Sequence, residues 1–277
     1  MKFAVDASVV VKWYVSENHS EEARLLLGHR LERHAPDFLL VEFANTVWKK
    51  ARRGEIADPA AYFGEIPELR EAIDLHPDSE LIEHAAELSS AMDHPVYDCL
   101  YFACAVATGS TLITADRKFA DRAASKLPNP DVRYIGEDGV ADEIGAAATS
   151  LVISRDNIEE LVAEHDRLAG TDEHVRSALY GQNLGRGNMD TEDLALILRS
   201  PAGKRLKRLL RELTEEERID LVALAWLGAG AGGTDWQSSF EHACKVIGLY
   251  DENNWAGVLN LGVYWRAGYE RLTGNSI

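Results

Sequence analysis

The most constraining feature of this sequence is a pair of short apolar segments that each run into an aspartate. Phe3–Val5 is followed by Asp6, and Thr111–Thr114 is followed, one residue later, by Asp116. A helical pattern comes after each aspartate. Short strands that alternate with helices are typical of a parallel sheet, in which the carboxyl ends of the strands form one crevice. The sequence therefore predicts an α/β fold, a parallel sheet flanked by helices, with both aspartates in that crevice.

The pattern of the chain changes near residue 138, which predicts two domains. With 277 residues, the chain exceeds the ~100 to 200 residues of an ordinary domain. Residues 1–137 alternate short strands with helices, whereas residues 151–277 are predicted to form a mainly helical accessory domain. The stretch between them, 138–150, is rich in Gly, Ala and acidic residues and is predicted to be a linker.

Apolar residues at helical spacing predict most of the remaining elements. In the first part, helices are expected at 9–15, 20–31, 39–53, 58–74, 79–92 and 97–108, with a short helix after Asp116 and a further strand at 132–135. In the second part, helices are expected at 154–168 and at 190–213, the latter interrupted at Pro201. Thr214 and Glu217 have the spacing of a capping box, which predicts the start of another helix.

Acidic residues outnumber basic ones, with 46 Asp and Glu against 29 Lys and Arg and a net charge of −17. This balance argues against binding of nucleic acid through a broad basic surface. Carboxylates that gather around a divalent cation would also make the chain acidic, and the cation would then attract a nucleic-acid substrate locally. The sum of charges does not decide between these cases.

The beginning of the chain lacks the basic region and the cleavage site of a signal peptide, and no apolar run reaches the ~18 residues that span a bilayer. A cytoplasmic protein without a membrane segment is therefore expected. Cys99, Cys104 and Cys244 have no metal-binding spacing, and their odd number argues against a disulfide framework. All three are expected to be buried thiols.

Four acidic residues from separate segments are candidates for a metal site. Asp6 and Asp116 follow strands, Asp98 lies at the start of a helix, and Glu42 lies among apolar residues near the start of another. An acid on an apolar face is costly unless something pairs it, and a divalent cation is a natural partner. Taken singly, Asp98 and Asp116 could instead stabilise helix starts, and Glu42 could be solvated. Their joint placement favours the metal site.

Three blocks of the sequence resemble one known family. They are VDASVVVKW, LLVEFANTVWKKARRGEI and HPVYDCLYFACAVATGSTLITADRKFADRA. In order and spacing they resemble the PIN-domain ribonucleases, specifically the toxins of VapBC-type toxin-antitoxin pairs, over residues 1–137. By this likeness the family's metal-binding acids correspond to Asp6, Glu42, Asp98 and Asp116, and the hydroxyl residues that accompany them correspond to Ser8 and Thr114.

The resemblance implies an endoribonuclease that depends on Mg²⁺ or Mn²⁺. The acids would hold one or two ions, which orient a water for in-line attack on a phosphodiester and stabilise the leaving oxygen. The products would carry 5′-phosphate and 3′-hydroxyl ends. Lys12, Arg117 and Lys118 could hold the RNA backbone or could equally be ordinary surface charges.

The resemblance also implies partners. The substrate would be a tRNA, an rRNA or an mRNA. By this resemblance a cognate antitoxin protein is expected, and an acidic pocket would accept its arginine side chain well. A homodimer is expected as well, since PIN-domain toxins usually form one.

The same residues allow other interpretations. The carboxylate site could be built but catalytically idle, in a binding or regulatory protein. The second domain could inhibit the nuclease in cis, in place of a separate antitoxin. An aspartyl-phosphate phosphatase is disfavoured, because the segment Asp6-Ala7-Ser8 lacks the second acid, two residues on, that those enzymes need.

The second part contains two motifs that invite functional interpretations. The segment from Gly228 to Gly233 satisfies GxGxxG, but the apolar run before it has a helical pattern, so a break between two helices is favoured over a nucleotide site. The basic segment from Lys204 to Arg211 could contact RNA, although a solvated helix face is favoured. From Leu151 onward, with ERIDLVALAWLGAGAGG as the most distinctive string, the chain resembles a family of uncharacterised bacterial helical proteins.

Overall fold

A computed structural model describes residues 1–170, 199–230, 235–249 and 261–277. The chain forms two compact units, Met1–Ser150 and Leu151–Ile277. Each unit has its own core of buried apolar side chains. Within the described ranges, the helices are all too short or too polar to cross a lipid bilayer.

The first unit is built on a five-stranded parallel sheet. Its strands are β1 (Lys2–Val5), β2 (Glu32–Pro36), β3 (Asp74–His76), β4 (Thr111–Thr114) and β5 (Val132–Tyr134). Their order in space is β3-β2-β1-β4-β5. Because β1 and β4 are neighbours, their carboxyl ends lie side by side at the centre of the sheet. The predicted α/β fold is therefore confirmed.

Helices connect and flank these strands. They are α1 (Ala7–Tyr14), α2 (Ser20–Arg24), α3 (Phe38–Arg52), α4 (Pro59–Phe63), α5 (Ile66–Ala72), α6 (Asp78–Met92), α7 (Val96–Thr108), α8 (Arg117–Lys126) and α9 (Val140–Ala148). In α3 the buried residues are Leu39, Phe43 and Val47, which recur every four residues and give the helix one apolar face. Helix α7 is buried over most of its length, which explains its nearly continuous apolar sequence.

The sequence predictions fail where local breakers or edge strands intervene. One helix was expected over 58–74, but this stretch forms α4, α5 and β3. Gly64 ends α4, and Pro67 lies in the first turn of α5, where its missing N–H is tolerated. The strand β2 was not predicted, because its sequence ERHAP lacks a regular apolar alternation. The helix expected over 20–31 ends at Arg24 and continues as the 3₁₀ turn Leu25–Leu27.

Residues 138–150 differ from the linker expected there, because most of them form α9. Val140, Ile144 and Ala148 are buried in the core of the first unit. Their spacing of four residues gives α9 one apolar face that covers this core. Gly28 permits the close approach, since a Cβ at that position would lie 2.6 Å from the Cβ of Ala148.

We expect a fragment of residues 1–150 to be more stable than one of residues 1–137 by at least about 2 kcal/mol. The shorter fragment loses the apolar side chains of α9, and removing one large buried side chain commonly costs about 2–5 kcal/mol. Urea-induced unfolding of the two fragments measures the difference. Equal free energies of unfolding would contradict the assignment of α9 to the first core.

The second unit is mainly helical, as predicted. Its described helices are α10 (Arg155–Gly170), α11 (Pro201–Glu212), α12 (Glu215–Ala229), α13 (Trp236–Val246) and α14 (Leu261–Thr273). The capping box is confirmed by two reciprocal hydrogen bonds. The Glu217 backbone N–H donates to the Thr214 hydroxyl oxygen, and the Thr214 backbone N–H donates to the Glu217 carboxylate. The helix expected from residue 190 begins outside the described residues.

The two motifs of the second unit have structural roles in the described residues. Gly228 lies inside α12, and Gly230 ends that helix with a φ of +67°. The first residues of the glycine segment therefore form the C-terminal end of a helix. Gly232 and Gly233 lie outside the described residues. In the basic helix α11, Leu206 and Leu210 are buried, and the Arg205 Nε donates to the Glu164 Oε2 at 2.9 Å. These observations support the interpretation of α11 as a helix with one apolar face.

The cysteine predictions are confirmed for two residues and wrong for the third. Cys99 and Cys104 are buried in α7, whereas Cys244 is exposed. Burial raises the pKa of the Cys99 thiol to about 11 and that of the Cys104 thiol to about 12, which keeps both protonated near neutral pH. Cys244 follows Ala243, which is buried, and therefore lies on the outer side of α13.

Candidate active site

Asp6 lies at the centre of the candidate site, immediately after β1. Its carboxylate accepts a hydrogen bond from the backbone N–H of Ser8, at the start of α1. Its other oxygen accepts from the hydroxyl of Thr114, the last residue of β4. The adjacent ends of β1 and β4 therefore hold one side chain in place, as the sequence predicted from the parallel sheet.

Ser8 and Thr114 connect the two strand ends further. The Ser8 Oγ accepts from the backbone N–H of Ala115 at 3.0 Å. The Thr114 Oγ1 accepts from the backbone N–H of Asp116 at 2.9 Å while it donates to Asp6. Both hydroxyl groups thus fix the loop that carries Asp116 against the loop that carries Asp6.

Asp116 caps α8. Its Oδ1 accepts from the backbone N–H groups of Lys118 at 2.8 Å and of Phe119 at 3.2 Å. The alternative considered for this residue, a capping role, is therefore real. It does not conflict with a site role, because both bonds use Oδ1, and the residue is exposed to solvent.

Glu42 extends from the first half of α3. Its Oε2 accepts from the phenol of Tyr101 on α7 at 2.7 Å, which fixes the orientation of the carboxylate. Tyr101 is buried, and burial together with the charge of Glu42 raises its pKa well above the usual value. The phenol is therefore a permanent donor to Glu42 near neutral pH.

Asp98 lies in the first turn of α7. Its Oδ2 is 2.8 Å from the Nε2 of His94, which precedes that helix. The His94 ring also meets Phe119 edge-on, with 5.0 Å between the ring centroids. His94 therefore links Asp98 to the segment that begins with Asp116.

The four acids are close enough to affect one another electrostatically. Burial raises the pKa of Asp6, opposed by the hydrogen bonds from Ser8 and Thr114 and reinforced by the charge of Asp116. Burial also raises the pKa of Glu42, with smaller contributions from the charges of Asp6 and Asp98. The pKa of Asp98 is raised by burial as well, with His94 acting in the opposite direction. The fold thus gathers like charges from four segments, at a cost that a cation would offset.

The donor set fits a hard divalent cation. Carboxylate oxygens are the ligands that Mg²⁺ and Mn²⁺ prefer. Within the described residues, the pocket does not bring three ligand atoms of these acids within 4.8 Å of one another. Mg²⁺ typically takes one or two carboxylates and fills its other positions with water and substrate phosphate.

The basic residues expected near the substrate differ in their surroundings. Lys12 is largely buried, and its Nζ lies 2.8 Å from the Glu17 Oε2. An ion pair inside the fold therefore occupies Lys12, which does not support the expected contact with RNA. Arg117 is exposed, and its guanidinium lies over the ring of Tyr134, 4.2 Å from the centroid. Lys118 is exposed beside it.

Tyr101 and His94 belong to this site but were not predicted from the sequence. Tyr101 lies three residues after Asp98 on α7, which matches helical spacing, and this is a signal that could have identified it. His94 precedes α7, and its separation of four residues from Asp98 is a comparable signal. Its contact with Asp98 depends on the path of the loop before the helix.

Comparison with known proteins supports the interpretation of both parts. Residues 3–125 match the PIN domain family, and residues 203–273 match a family described as a protein of unknown function, DUF3775. The chain is also 36% identical to Ribonuclease VapC3 of Pyrobaculum aerophilum over 124 residues, which are 44% of this chain and 95% of that relative. The predicted resemblance of the first part is thus confirmed. The chain belongs to the VapC-like PIN-domain ribonucleases, which are hydrolases, and carries a second, C-terminal domain of unknown function.

Proposed function

We propose that this protein is a Mg²⁺- or Mn²⁺-dependent endoribonuclease and acts as the toxin of a type II toxin-antitoxin pair. The observation that carries the proposal is the convergence of Asp6, Glu42, Asp98 and Asp116 from four segments, with raised pKa values for the first three. A fold does not normally gather such charges without a cation to pair them. The similarity to Ribonuclease VapC3 supports RNA as the substrate.

The chain's own residues would fix the geometry of the reaction. Asp6, Glu42, Asp98 and Asp116 would hold the ions. Thr114 and the Ser8 N–H orient the Asp6 carboxylate, and Tyr101 orients that of Glu42. His94 orients Asp98 through their 2.8 Å hydrogen bond. When bound, the divalent ion supplies charge stabilisation for the hydrolysis of a phosphodiester.

Arg117 is the basic residue best suited to hold the RNA backbone in this proposal. It is exposed, and it follows Asp116 directly in the sequence. The Tyr134 ring supports its guanidinium and leaves the planar donors able to bind a phosphate. Without RNA, the same acidic pocket would accept an arginine side chain of an antitoxin. We further propose that the protein forms a homodimer, as its resemblance to the family implies.

The proposal is tested by cleavage of a mixed pool of transfer and ribosomal RNA, with Mg²⁺, with Mn²⁺ and with a chelator. We expect the intact protein to cut only when a divalent ion is present, and the Asp98→Asn variant to lose at least about tenfold of that activity, because it loses one charged ligand. Asp121→Asn is the matched control, since Asp121 is an exposed residue of α8 outside the pocket.

The other outcomes of this experiment are informative. Cleavage that persists in the chelator, or that Asp98→Asn does not reduce, would contradict the metal-dependent mechanism. If the intact chain does not cut but residues 1–150 do, the second domain inhibits the nuclease in cis. If neither cuts any RNA, the site is idle and the protein is a binding or regulatory member of the family.

A further inference from the structure

A second cluster of ligand-type side chains lies at the edge of the sheet. The residues are His34 on β2 and Asp74 and His76 on β3. His34 pairs with Asp74 in the parallel register, and His76 lies two residues further along β3. Because side chains alternate between the two faces of a strand, this register puts all three on the same face. None of them belongs to the acidic pocket.

The three ligand atoms meet at nearly equal separations. The Nδ1 of His34 lies 3.2 Å from the Nε2 of His76 and 3.4 Å from the Oδ2 of Asp74. The Nε2 of His76 lies 3.6 Å from the same Oδ2. Ligands about 2.0–2.2 Å from a tetrahedral Zn²⁺ ion are separated from one another by roughly 3.3–3.6 Å. The triangle therefore has the dimensions of one face of a zinc tetrahedron.

Hydrogen bonds can satisfy at most two of the three contacts in this triangle at one time. Each of the three atoms is either a donor or an acceptor at any moment. With three atoms and two roles, at least one of the three contacts must join two donors or two acceptors. A cation removes the conflict, because all three atoms then act as electron-pair donors toward it.

The surroundings of His34 also suit a metal ligand. The residue is only 7% exposed, and among the described residues its Nε2 has no hydrogen-bond partner. The Oε2 of Glu32 lies 3.8 Å from this nitrogen, so a small side-chain rotation would bring a carboxylate into hydrogen-bonding range. Histidine ligands of metals commonly donate their second ring N–H to such a carboxylate.

An ion can reach this cluster from solvent. Asp74 is exposed. His76 is partly exposed. These two residues are therefore accessible to an ion from solvent, whereas His34 is buried.

We propose that His34, Asp74 and His76 form a second metal site, selective for a divalent transition metal ion of the zinc class, separate from the oxygen-rich pocket. Two nitrogen donors and one oxygen donor favour Zn²⁺ or Co²⁺ over Mg²⁺. The ion joins β3, a three-residue strand at the edge of the sheet, to β2. Occupancy therefore stabilises the first unit, because the ion binds the folded chain.

The test is a titration of the metal-free, full-length protein with Co²⁺ in an excess of Mg²⁺, which occupies the oxygen site. We expect one Co²⁺ per chain, with the visible absorption of a tetrahedral ion that has nitrogen ligands, and a rise in Tm on adding Zn²⁺. The Asp74→Asn and His76→Gln variants should bind Co²⁺ more than about tenfold more weakly. Both positions are at least partly exposed, so these changes leave the core intact, and circular dichroism checks the fold.

Two control variants distinguish this site from others. His84→Gln changes a partly buried histidine on α6 outside the cluster and should leave Co²⁺ binding unchanged. Asp6→Asn should leave it unchanged too, so the result does not depend on the nuclease proposal. Undiminished Co²⁺ affinity and absorption in His76→Gln would overturn the second site. Loss of the Co²⁺ signal in Asp6→Asn would assign the ion to the acidic pocket and overturn it as well.

Discussion

Replacing Asp6 by asparagine should reduce RNA cleavage at least about a hundredfold and leave the first unit folded. The loss is expected because Asp6 lies at the centre of the acid cluster, and the ion that these residues would hold contributes several kcal/mol to the transition state, at about 1.4 kcal/mol per factor of ten. The fold should persist because asparagine also accepts hydrogen bonds at the start of a helix. Initial rates of RNA cleavage with Mg²⁺ or Mn²⁺ measure the loss.

The same variant should have a Tm at neutral pH, without divalent ions, equal to or above that of the unchanged protein. Burial raises the pKa of Asp6 in the folded state. A group whose pKa is higher in the folded state than in the unfolded state stabilises the fold fully at pH values below its unfolded pKa. This stabilisation is lost as the pH rises through the folded pKa. As the pH rises toward neutral, the unchanged protein therefore loses stability that the variant keeps, because asparagine does not ionise.

Measurements of Tm against pH test this sign. The difference between the variant and the unchanged protein should shrink as the pH falls from neutral toward the acidic range, since Asp6 becomes protonated. Asp121→Asn serves again as the control and should change neither cleavage nor Tm appreciably. If Asp6→Asn lowers the Tm strongly, the loss of cleavage would reflect unfolding. Undiminished cleavage in a folded Asp6→Asn protein would contradict the assignment of the site.

Replacing Gly228 by alanine should destabilise the second unit by about 3 kcal/mol. A Cβ on Gly228 would lie 2.0 Å from the carbonyl oxygen of Tyr264 on α14. The contact is reciprocal, since a Cβ on Gly268 would lie 2.0 Å from the carbonyl oxygen of Leu224 on α12. Two helices that approach backbone to backbone cannot take an extra methyl group without moving apart, and overpacking of this kind costs roughly 1–3 kcal/mol or more.

Denaturant-induced unfolding of the full-length protein, followed by tryptophan fluorescence, measures this effect. Trp265 lies on α14 and is fully buried, so it reports on the helix pair. Gly248→Ala is the matched control, because a Cβ there would meet nothing within 4 Å and its φ is not in the left-handed region. A Gly228→Ala protein as stable as the control would contradict the close helix contact. The expected result would explain Gly228, the first glycine of the GxGxxG segment, by helix packing.

By itself, the sequence determined the α/β class and the central part of the site. Asp6 follows the apolar run Phe3–Val5 and Asp116 follows the β-branched run Thr111–Thr114, and parallel strands bring their carboxyl ends together. Local periodicity also determined α3 and α7, the helices that carry Glu42 and Asp98. These predictions succeed because each depends on residues that are neighbours in the chain.

Only the tertiary structure decided which side chains support the site. Glu42 and Tyr101 are 59 residues apart, and their hydrogen bond depends on how α3 and α7 pack. Lys12 was a candidate for a substrate contact, but the chain after α1 brings Glu17, five residues on, beside it. No local pattern encodes the contact between Glu42 and Tyr101.

The difference between local pattern and long-range structure is clearest at the edge of the sheet. The strands β2 and β3 are short and partly polar, so periodicity does not identify them. His34 and His76 are 42 residues apart and meet only because β2 and β3 pair in one register. A shift of one residue would turn one of them to the opposite face. The sequence thus determined which elements form and which acids end the strands, whereas long-range strand register and helix packing decided which side chains meet.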